Sequence, residues 1–187
     1  MVRWQPNARG RLEEAALELY AENGFDRTTV AEIAERAGLT ERTFFRHFAD
    51  KREVLFSGQD ALVDILSKTV VEAPDSLSPL AAVGAGLIAV GAQFDDRHEL
   101  ARRRQQIIDA TPALQERELS KLAALADALA AALRARGVPD TAARLGAESG
   151  VSVFKVAFEQ WLPDDGADLV KIIETVLADL RAVAGGG

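Results

Sequence analysis

Residues 28–48 read TTVAEIAERAGLTERTFFRHF, and the spacing within this stretch decides how the N-terminal part of the chain folds. Apolar residues recur at helical intervals on both sides of Gly38, which predicts two short helices joined by a tight turn. Glu32 follows Thr29 by three residues, the pattern of a capping box, and Thr40 is placed to cap the second helix. An amphipathic segment precedes the pair, so the sequence predicts a helix-turn-helix.

The outward face of the second short helix carries the side chains that indicate a function. In a helix-turn-helix this helix packs on its neighbour through a few apolar residues, while its other face lies in the major groove of DNA. Short hydroxyl groups and cations suit base edges and phosphates. Such groups occupy the positions predicted to face outward, which include Thr40, Glu41, Arg42, Thr43, Arg46 and His47.

The net charge of −7 has the wrong sign for a protein that binds DNA, but the acidic residues are unevenly distributed. Residues 1–56 contain nine basic and ten acidic residues, so most of the excess negative charge lies further along the chain. We expect four glutamates of this segment to share a solvated face that leaves the cations free: Glu13, Glu14, Glu18 and Glu22. Arg3, Arg9 and Arg11 are either further DNA contacts or part of a solvated face.

The rest of the chain has helical periodicity and lacks strand-like alternation, so the predicted fold class is all-α with about nine helices. We expect a three-helix DNA-binding domain over residues 1–50 and a helical domain for ligand binding and dimerisation over residues 51–187. Asp50 is placed to cap a long helix from Lys51 to about Val71. Such a helix would act as a lever between the two domains.

Two features bear on the compartment. The apolar run at residues 80–92 is too short for a bilayer, which needs about 20 residues, so it predicts a buried helix and no membrane partner. No apolar signal core follows the N-terminus, so we expect a cytoplasmic protein.

The absence of cysteine excludes disulfides and thiolate metal sites.

The last two predicted helices, at about 140–162 and 167–184, are apolar over more than one narrow stripe. A helix with two apolar faces needs two partners, so a second copy of the chain could complete a four-helix interface. A thick core within one chain is the alternative. The predicted interface residues are Gly150, Phe154, Ala157, Trp161, Ile173, Val176, Leu177 and Leu180.

Residues 28–48 together with Asp50 and Lys51 resemble the signature of the TetR family of repressors, and the resemblance covers about the first 56 residues. It implies a homodimer that binds a palindromic stretch of double-stranded DNA and is released by a small-molecule effector. Where the family usually has tyrosine, this chain has Phe45, which loses one hydrogen bond to the DNA backbone.

The resemblance implies a role for each matching position. Thr28 and Thr29 would meet a phosphate at a helix N-terminus, or simply cap that helix. Arg42 would contact guanine, and Glu41 would either accept from cytosine or complete the helix N-terminus. His47 and Lys51 would contact phosphates.

Residues 102–118 resemble the C-terminal domain of a TetR subgroup with acyl-coenzyme-A-like ligands, which includes regulators of mycofactocin systems. This resemblance implies a hydrophobic or acyl-CoA-like effector in an apolar tunnel. For Arg102, Arg103 and Arg104 the choice lies between phosphate contacts and a solvated helix face. The candidate ligand-binding residues are Leu87, Phe94, Arg103, Ile107, Phe154, Phe158 and Trp161.

An enzyme would need a convergent nucleophile, base or metal site. The chain offers only His47, within the recognition motif, and His98, within residues 95–99, whose carboxylates more simply begin a helix. We therefore expect neither catalysis nor a metal or other cofactor. A ligand-independent regulator and an activator stay open as alternatives to a ligand-released repressor.

Overall fold

The computed structural model describes residues 7–94 and 96–185, and every regular element within these ranges is helical. Arg3 and Asp95 lie outside the described residues. The expected all-α fold class is therefore confirmed. The nine α-helices of the described ranges are α1 (Ala8–Asn23), α2 (Val30–Arg36), α3 (Glu41–His47), α4 (Gln59–Glu72), α5 (Pro79–Gly91), α6 (His98–Asp109), α7 (Pro112–Ala135), α8 (Asp140–Trp161) and α9 (Leu169–Gly185).

Side-chain caps fix where the short helices begin. Thr29 and Glu32 form the predicted capping box at α2: the Thr29 hydroxyl accepts from the Glu32 backbone N–H, and the Glu32 carboxylate accepts from the Thr29 N–H. Thr40 caps α3 by accepting from the Thr43 N–H at 3.2 Å. Between them Gly38 has a φ of 65°, the left-handed conformation that ends a helix and favours glycine.

The long helix predicted from Lys51 is wrong. Asp50 does cap this segment, because its carboxylate accepts from the backbone N–H groups of Arg52 and Glu53. Residues 51–58 nevertheless form successive turns, closed over three residues by hydrogen bonds from the N–H groups of residues 55–57 to the carbonyls of residues 52–54. Gly58 then adopts a φ of 86°, and α4 begins only at Gln59. With 14 residues, α4 is about 21 Å long, shorter than the expected lever.

The chain forms two compact units, and their boundary differs from the expected one at residue 50. The first unit extends to Ser57 and also contains Arg103–Glu118; the second contains Gly58–Arg102 and the chain from Leu119 onward. The periodicity of apolar residues indicates where a helix forms, but it does not indicate in which unit that helix packs. The sequence therefore did not indicate that parts of α6 and α7 belong with the N-terminal helices.

The core of the first unit is built around α1, α2 and α3. Leu12, Ile33 and Phe44 are completely buried there, and Ile108 and Leu114 belong to the same apolar cluster. Two arginines reinforce the junction of its two segments: Arg117 forms an ion pair with Glu53 at 2.6 Å, and the Arg104 guanidinium donates to the Leu55 carbonyl and lies over the Phe56 ring. These contacts hold the three N-terminal helices as one body.

In the second unit α4, α8 and α9 pack closely against α5. A Cβ added at Gly86 would lie 2.7 Å from Leu66 of α4, and one added at Gly150 would lie 2.5 Å from Val83 of α5. These positions therefore need glycine for close approach of the helices. None of the helices in the described ranges combines the length and the apolar character needed to cross a membrane.

We predict that Gly150→Ala destabilises the second unit. The added methyl group overpacks the contact with Val83, which costs about 1–3 kcal/mol and outweighs the gain of up to about 1 kcal/mol from the better helix propensity of alanine. Urea unfolding followed by circular dichroism should show a lower midpoint. Gln160→Ala, at an exposed position of the same helix outside the uncharged strip described below, is the control and should not lower the midpoint. A midpoint for Gly150→Ala at or above that of the parent chain would contradict this packing.

Candidate functional site

Two phenylalanines orient α3 on the first unit. Phe44 is completely buried, Phe48 is nearly so, and their ring centroids lie 5.4 Å apart. Because these side chains point inward, the opposite face of the helix is exposed and carries Glu41, Arg42, Phe45 and Arg46. Four of the predicted DNA-contacting residues therefore share one open surface, which we call the α3 face.

The cations of the α3 face are free to bind a ligand. Within the described part of the chain, no ion pair or side-chain hydrogen bond engages the guanidinium of Arg42 or of Arg46. Phe45 lies beside them with 55% of its surface exposed, its ring edge-on to Phe44 at 5.5 Å. Two unpaired guanidinium groups and an exposed ring can contact phosphates, guanine edges and thymine methyl groups.

The two threonines of α3 have a different local role. The Thr40 and Thr43 hydroxyl groups lie 3.1 Å apart, and Thr40 also accepts from the Thr43 N–H. Thr40 is exposed and Thr43 is half-buried. Both hydroxyls thus sit at the N-terminus of α3, where they shape the cap and still have a lone pair or proton for DNA.

The structure separates the two threonines that precede α2. Thr28 is only 1% exposed, and its hydroxyl group faces the carbonyls of Gly24 and Leu19 at 2.9 and 3.2 Å. The expectation of a phosphate contact by this side chain is therefore wrong, since burial removes it from solvent. Thr29 is exposed, and the hydrogen bonds of its capping box hold the pKa of Glu32 below its usual value.

Lys51 holds the loop before α2 in place through hydrogen bonds to its backbone. Its ammonium group donates to the carbonyl oxygens of Phe25, Asp26 and Thr28 at 2.8, 3.2 and 2.8 Å, and it lies 4.4 Å from the centre of the Phe25 ring. The buried Tyr20 hydroxyl donates to the Lys51 carbonyl at 2.6 Å; burial, and then the nearby Asp50 carboxylate, raise the pKa of Tyr20. The ammonium group has three hydrogens, so these carbonyls can account for all of them.

His47, at the last turn of α3, has an unusual environment. Its Nε2 atom is the one buried side-chain polar atom in the described residues without a hydrogen-bond partner. Leaving such an atom unpaired is unfavourable by about 1–3 kcal/mol.

Two further cations of the first unit, Arg11 and Arg36, are engaged within it. Arg11 donates to the carbonyl groups of Ala37 and Gly38, which secures the turn of the helix-turn-helix. Arg36 pairs with Glu18 at 3.1 Å and Glu22 at 2.8 Å, and its hydrogen bond lowers the pKa of Glu22. The glutamate face of α1 is therefore partly neutralised on the molecule itself.

Four of the predicted effector-binding residues come together in the second unit. The rings of Phe94, Phe154, Phe158 and Trp161 have centroid separations of 5.4–6.4 Å, and we call this group the aromatic cluster. His98 also joins it, edge-on to Trp161 at 4.5 Å, a neighbour that sequence reasoning missed.

The other three predicted effector residues do not belong to this cluster. Leu87 is buried in the core of the second unit. Ile107 is buried in the core of the first unit, and Arg103 belongs to that unit as well, so their role in effector binding stays a prediction. Arg102 pairs with Glu99 and Asp165 and Arg104 with Glu118, whereas no partner engages Arg103 in the described residues.

Most of the predicted dimer-interface residues already have partners within one chain. The physical reason is the closeness of α5, which covers the wide apolar faces of α8 and α9. Of the eight residues only Phe154 and Leu180 are partly exposed. The buried six, for which the interface prediction is wrong, are Gly150, Ala157, Trp161, Ile173, Val176 and Leu177.

A different face of α8 is both open and free of charge. It runs along one side of the helix at three- and four-residue spacing, and its largest side chains, Leu145 and Val156, are 65% and 42% exposed. The charged residues of the helix lie on the neighbouring face. The uncharged strip consists of Ala142, Leu145, Ser149, Ser152 and Val156. In the sequence this strip is recognisable only by its lack of charged residues, because most of its side chains are small.

No group of three or more His, Asp or Glu side chains in the described residues is arranged to hold a metal ion. His98 instead lies 3.2 Å from Asp165 and 3.1 Å from the Trp161 carbonyl.

Two family models match the chain. Residues 12–57 match the model of the bacterial regulatory proteins of the tetR family, and residues 77–185 match the MftR C-terminal domain. The chain is 29% identical to the transcriptional regulator TcmR of Streptomyces glaucescens, over 92% of this chain and 82% of that protein. It is 27% identical to the putative mycofactocin biosynthesis regulator MftR of Mycobacterium tuberculosis, over 87% of this chain and 83% of that protein.

Solved structures share the fold. SmeT of Stenotrophomonas maltophilia, in its triclosan complex, aligns with a TM-score of 0.65 and 21% identity over 95% of this chain and 90% of its own. FadR of Bacillus subtilis, in complex with stearoyl-CoA, aligns with a TM-score of 0.61 and 20% identity over 90% of this chain and 95% of its own.

The relatives are named transcriptional regulators and not enzymes, and the helix-turn-helix, the all-α architecture and both family models agree. The chain belongs to the TetR family of DNA-binding transcriptional regulators and has a C-terminal domain of the MftR type.

Proposed function

We propose that the protein is a dimeric cytoplasmic repressor that binds a palindromic operator through α3 and leaves it when a small hydrophobic effector binds. The observation that supports operator binding most directly is the α3 face. It presents two unpaired guanidinium groups and an exposed aromatic ring, on a helix that the buried Phe44 holds in place. An acidic protein needs such a locally free cation pair, because its net charge repels DNA.

Each position of α3 has a role in this proposal. Arg42, near the N-terminus of the helix, reads a guanine edge, and Arg46 contacts a phosphate one turn further on. Phe45 packs on a thymine methyl group or a sugar, whereas a tyrosine at this position would donate a hydrogen bond to the DNA backbone. Thr40, Glu41 and Thr43 line the N-terminal end of the helix, where base edges are contacted. His47 contacts a phosphate.

Lys51 supports operator binding by holding the loop before α2. The carbonyls that accept its hydrogen bonds belong to Phe25, Asp26 and Thr28, immediately before the exposed Thr29. Fixing this loop orients the N-terminus of α2, which is the second point of contact with the DNA backbone.

We propose that the uncharged strip of α8 joins two copies of the chain. An isologous interface needs a self-complementary face that tolerates burial, and serines and alanine let two helices approach closely. On α9 the exposed small residues Thr175, Ala178 and Ala182 also follow helical spacing. The two helices together can form the four-helix interface that a palindromic operator requires.

The aromatic cluster is the proposed contact region of the effector. It is an apolar group of side chains in the MftR-type domain, and three of its rings are only partly buried. The SmeT and FadR structures hold hydrophobic ligands, triclosan and stearoyl-CoA, within the same fold. Arg103 is a separate candidate for contact with an anionic group of the effector.

We predict that Arg42→Ala relaxes the sequence preference of the protein at one base position. Losing a bidentate guanine contact removes about 1–3 kcal/mol of discrimination there. The preference can be measured by selecting bound duplexes from a random DNA library and comparing parent and variant. Arg144→Ala, at an exposed arginine of α8, is the matched control and should leave the selected sequence unchanged. An identical selected sequence for Arg42→Ala would contradict the assigned role.

Lys51→Met keeps the length of the side chain and removes its donors. We expect lower thermal stability, because three carbonyl groups lose their partner, together with weaker binding to all DNA sequences. The slope of log affinity against log salt should not change, since the ammonium group is engaged within the protein. A slope reduced by about one would show instead that Lys51 contacts a phosphate directly.

Ser152→Glu should convert the dimer to a monomer. The new carboxylates would meet at the two-fold interface, where burial of unpaired charge is strongly unfavourable. Light scattering coupled to size exclusion measures the mass. Lys155→Glu also introduces a carboxylate, but on the charged face of the same helix, and should leave the dimer intact. If Ser152→Glu remains dimeric, a different face joins the copies.

A further inference from the structure

The geometry of the aromatic cluster is specific. Phe154 and Phe158 are one turn apart on α8, and their rings are nearly parallel, with 26° between planes and centroids 5.6 Å apart. Phe94 meets Phe158 and Trp161 edge-on, at 73° and 78°. Parallel and edge-on arrangements are the two favoured geometries of aromatic contact, so these rings can extend the same pattern to one more planar ring.

The cluster is incompletely covered by the chain itself. Trp161 is 2% exposed, but Phe94, Phe154 and Phe158 each remain partly exposed although they contact one another. Aromatic side chains bury large areas when they are fully enclosed, so three partly open rings side by side leave apolar surface available to a ligand.

Trp161 forms a rigid and apolar wall of the cluster. Its indole N–H donates to the Ala167 carbonyl at 3.0 Å, and its own carbonyl is contacted by His98 at 3.1 Å. His98 is held in turn by Asp165, which Arg102 pairs with at 2.7 Å. Because its N–H group already has a partner and its ring is buried, Trp161 acts as a fixed apolar support for the three open rings.

The packing of α5 disfavours a long flexible chain as the ligand. An added Cβ at Gly84 would lie 3.0 Å from Leu177, one at Gly86 would lie 2.7 Å from Leu66, and one at Gly91 would lie 2.9 Å from Ile173. At these positions α5 lies directly against α4 and α9, and Gly150 brings α8 directly against Val83, so a flexible chain cannot pass between the helices there. A compact ligand at the cluster needs no such channel.

We propose that the effector is a compact, planar aromatic molecule that stacks on the partly exposed rings of Phe154 and Phe158. This inference rests on the proposed function, because it names the class of effector, but it concerns binding to the free protein and can be tested without DNA. The stacking requires a ring face on the ligand, which neither an acyl chain nor a saturated ring system has.

The test is calorimetric titration of the full-length protein with 1-naphthol and with its saturated counterpart decahydro-1-naphthol. The two probes share a carbon skeleton and a hydroxyl group, and only the first is planar and aromatic. We expect 1-naphthol to bind about tenfold more tightly, since each aromatic contact adds about 0.5–1.5 kcal/mol beyond area burial. In a Trp4→Phe background Trp161 is the only tryptophan, so its fluorescence should change on binding.

Variants locate the site. Phe158→Leu and Phe154→Leu keep an apolar side chain of similar size and should weaken 1-naphthol about tenfold while leaving decahydro-1-naphthol unchanged. Leu119→Ala, at an exposed apolar residue of the second unit, is the control and should bind both probes as the parent does. Light scattering of the same variants should show an unchanged mass.

Three outcomes would overturn the proposal. Equal affinity for both probes would indicate a generic apolar site. Binding of lauroyl-CoA but not of 1-naphthol, with the same affinity in the parent and in Phe158→Leu, would indicate an acyl effector held elsewhere. A monomeric Phe154→Leu or Phe158→Leu variant would show that a second copy covers these rings. If 1-naphthol binds as expected and does not weaken operator binding, the aromatic site stands and the proposed effector-controlled repression fails.

Discussion

The burial of Phe44 is the contact on which the DNA-binding surface depends. The side chain is completely enclosed between α1, α2 and α3, and burial of a phenylalanine contributes about 1.5–3 kcal/mol. A helix of seven residues has little stability of its own, so packing fixes its position and its rotation. With Phe44 inward, Arg42, Phe45 and Arg46 must point outward, and the recognition surface follows from one core contact.

Internal pairing explains how an acidic chain presents a cationic surface. Arg11, Arg36 and Lys51 are engaged by carbonyl or carboxylate groups of the first unit, where they secure the turn, the glutamate face of α1 and the loop before α2. Arg42 and Arg46 have no such partners among the described residues. The cations that build the scaffold and those left for DNA are therefore different residues, although residue type alone does not distinguish them.

The second unit uses close helix approach in one region and incomplete packing in another. Glycines let α5 contact α4, α8 and α9 so closely that an added methyl group would collide. Near Trp161 the packing is built from bulky rings, three of which remain partly open. A tight core resists change, whereas an incompletely covered aromatic group can accept a ligand. The two kinds of packing meet on α8, where Gly150 of the close contact and Phe154 of the aromatic cluster are one turn apart.

The sequence by itself determined the helical class, the helix-turn-helix and its caps, because these depend on local spacing that is visible within a few residues. The Thr29–Glu32 capping box and the Thr40 cap were both predicted from spacing and found. It also brought out Phe154, Phe158 and Trp161, since apolar residues at helical spacing share a face, whereas Phe94 was named only through the family resemblance. Only the tertiary structure decided that Thr28 is buried, that Lys51 clasps three carbonyls and that Gly150 packs on Val83. Those outcomes depend on which segments meet across long separations in the chain, and local periodicity carries no information about such meetings.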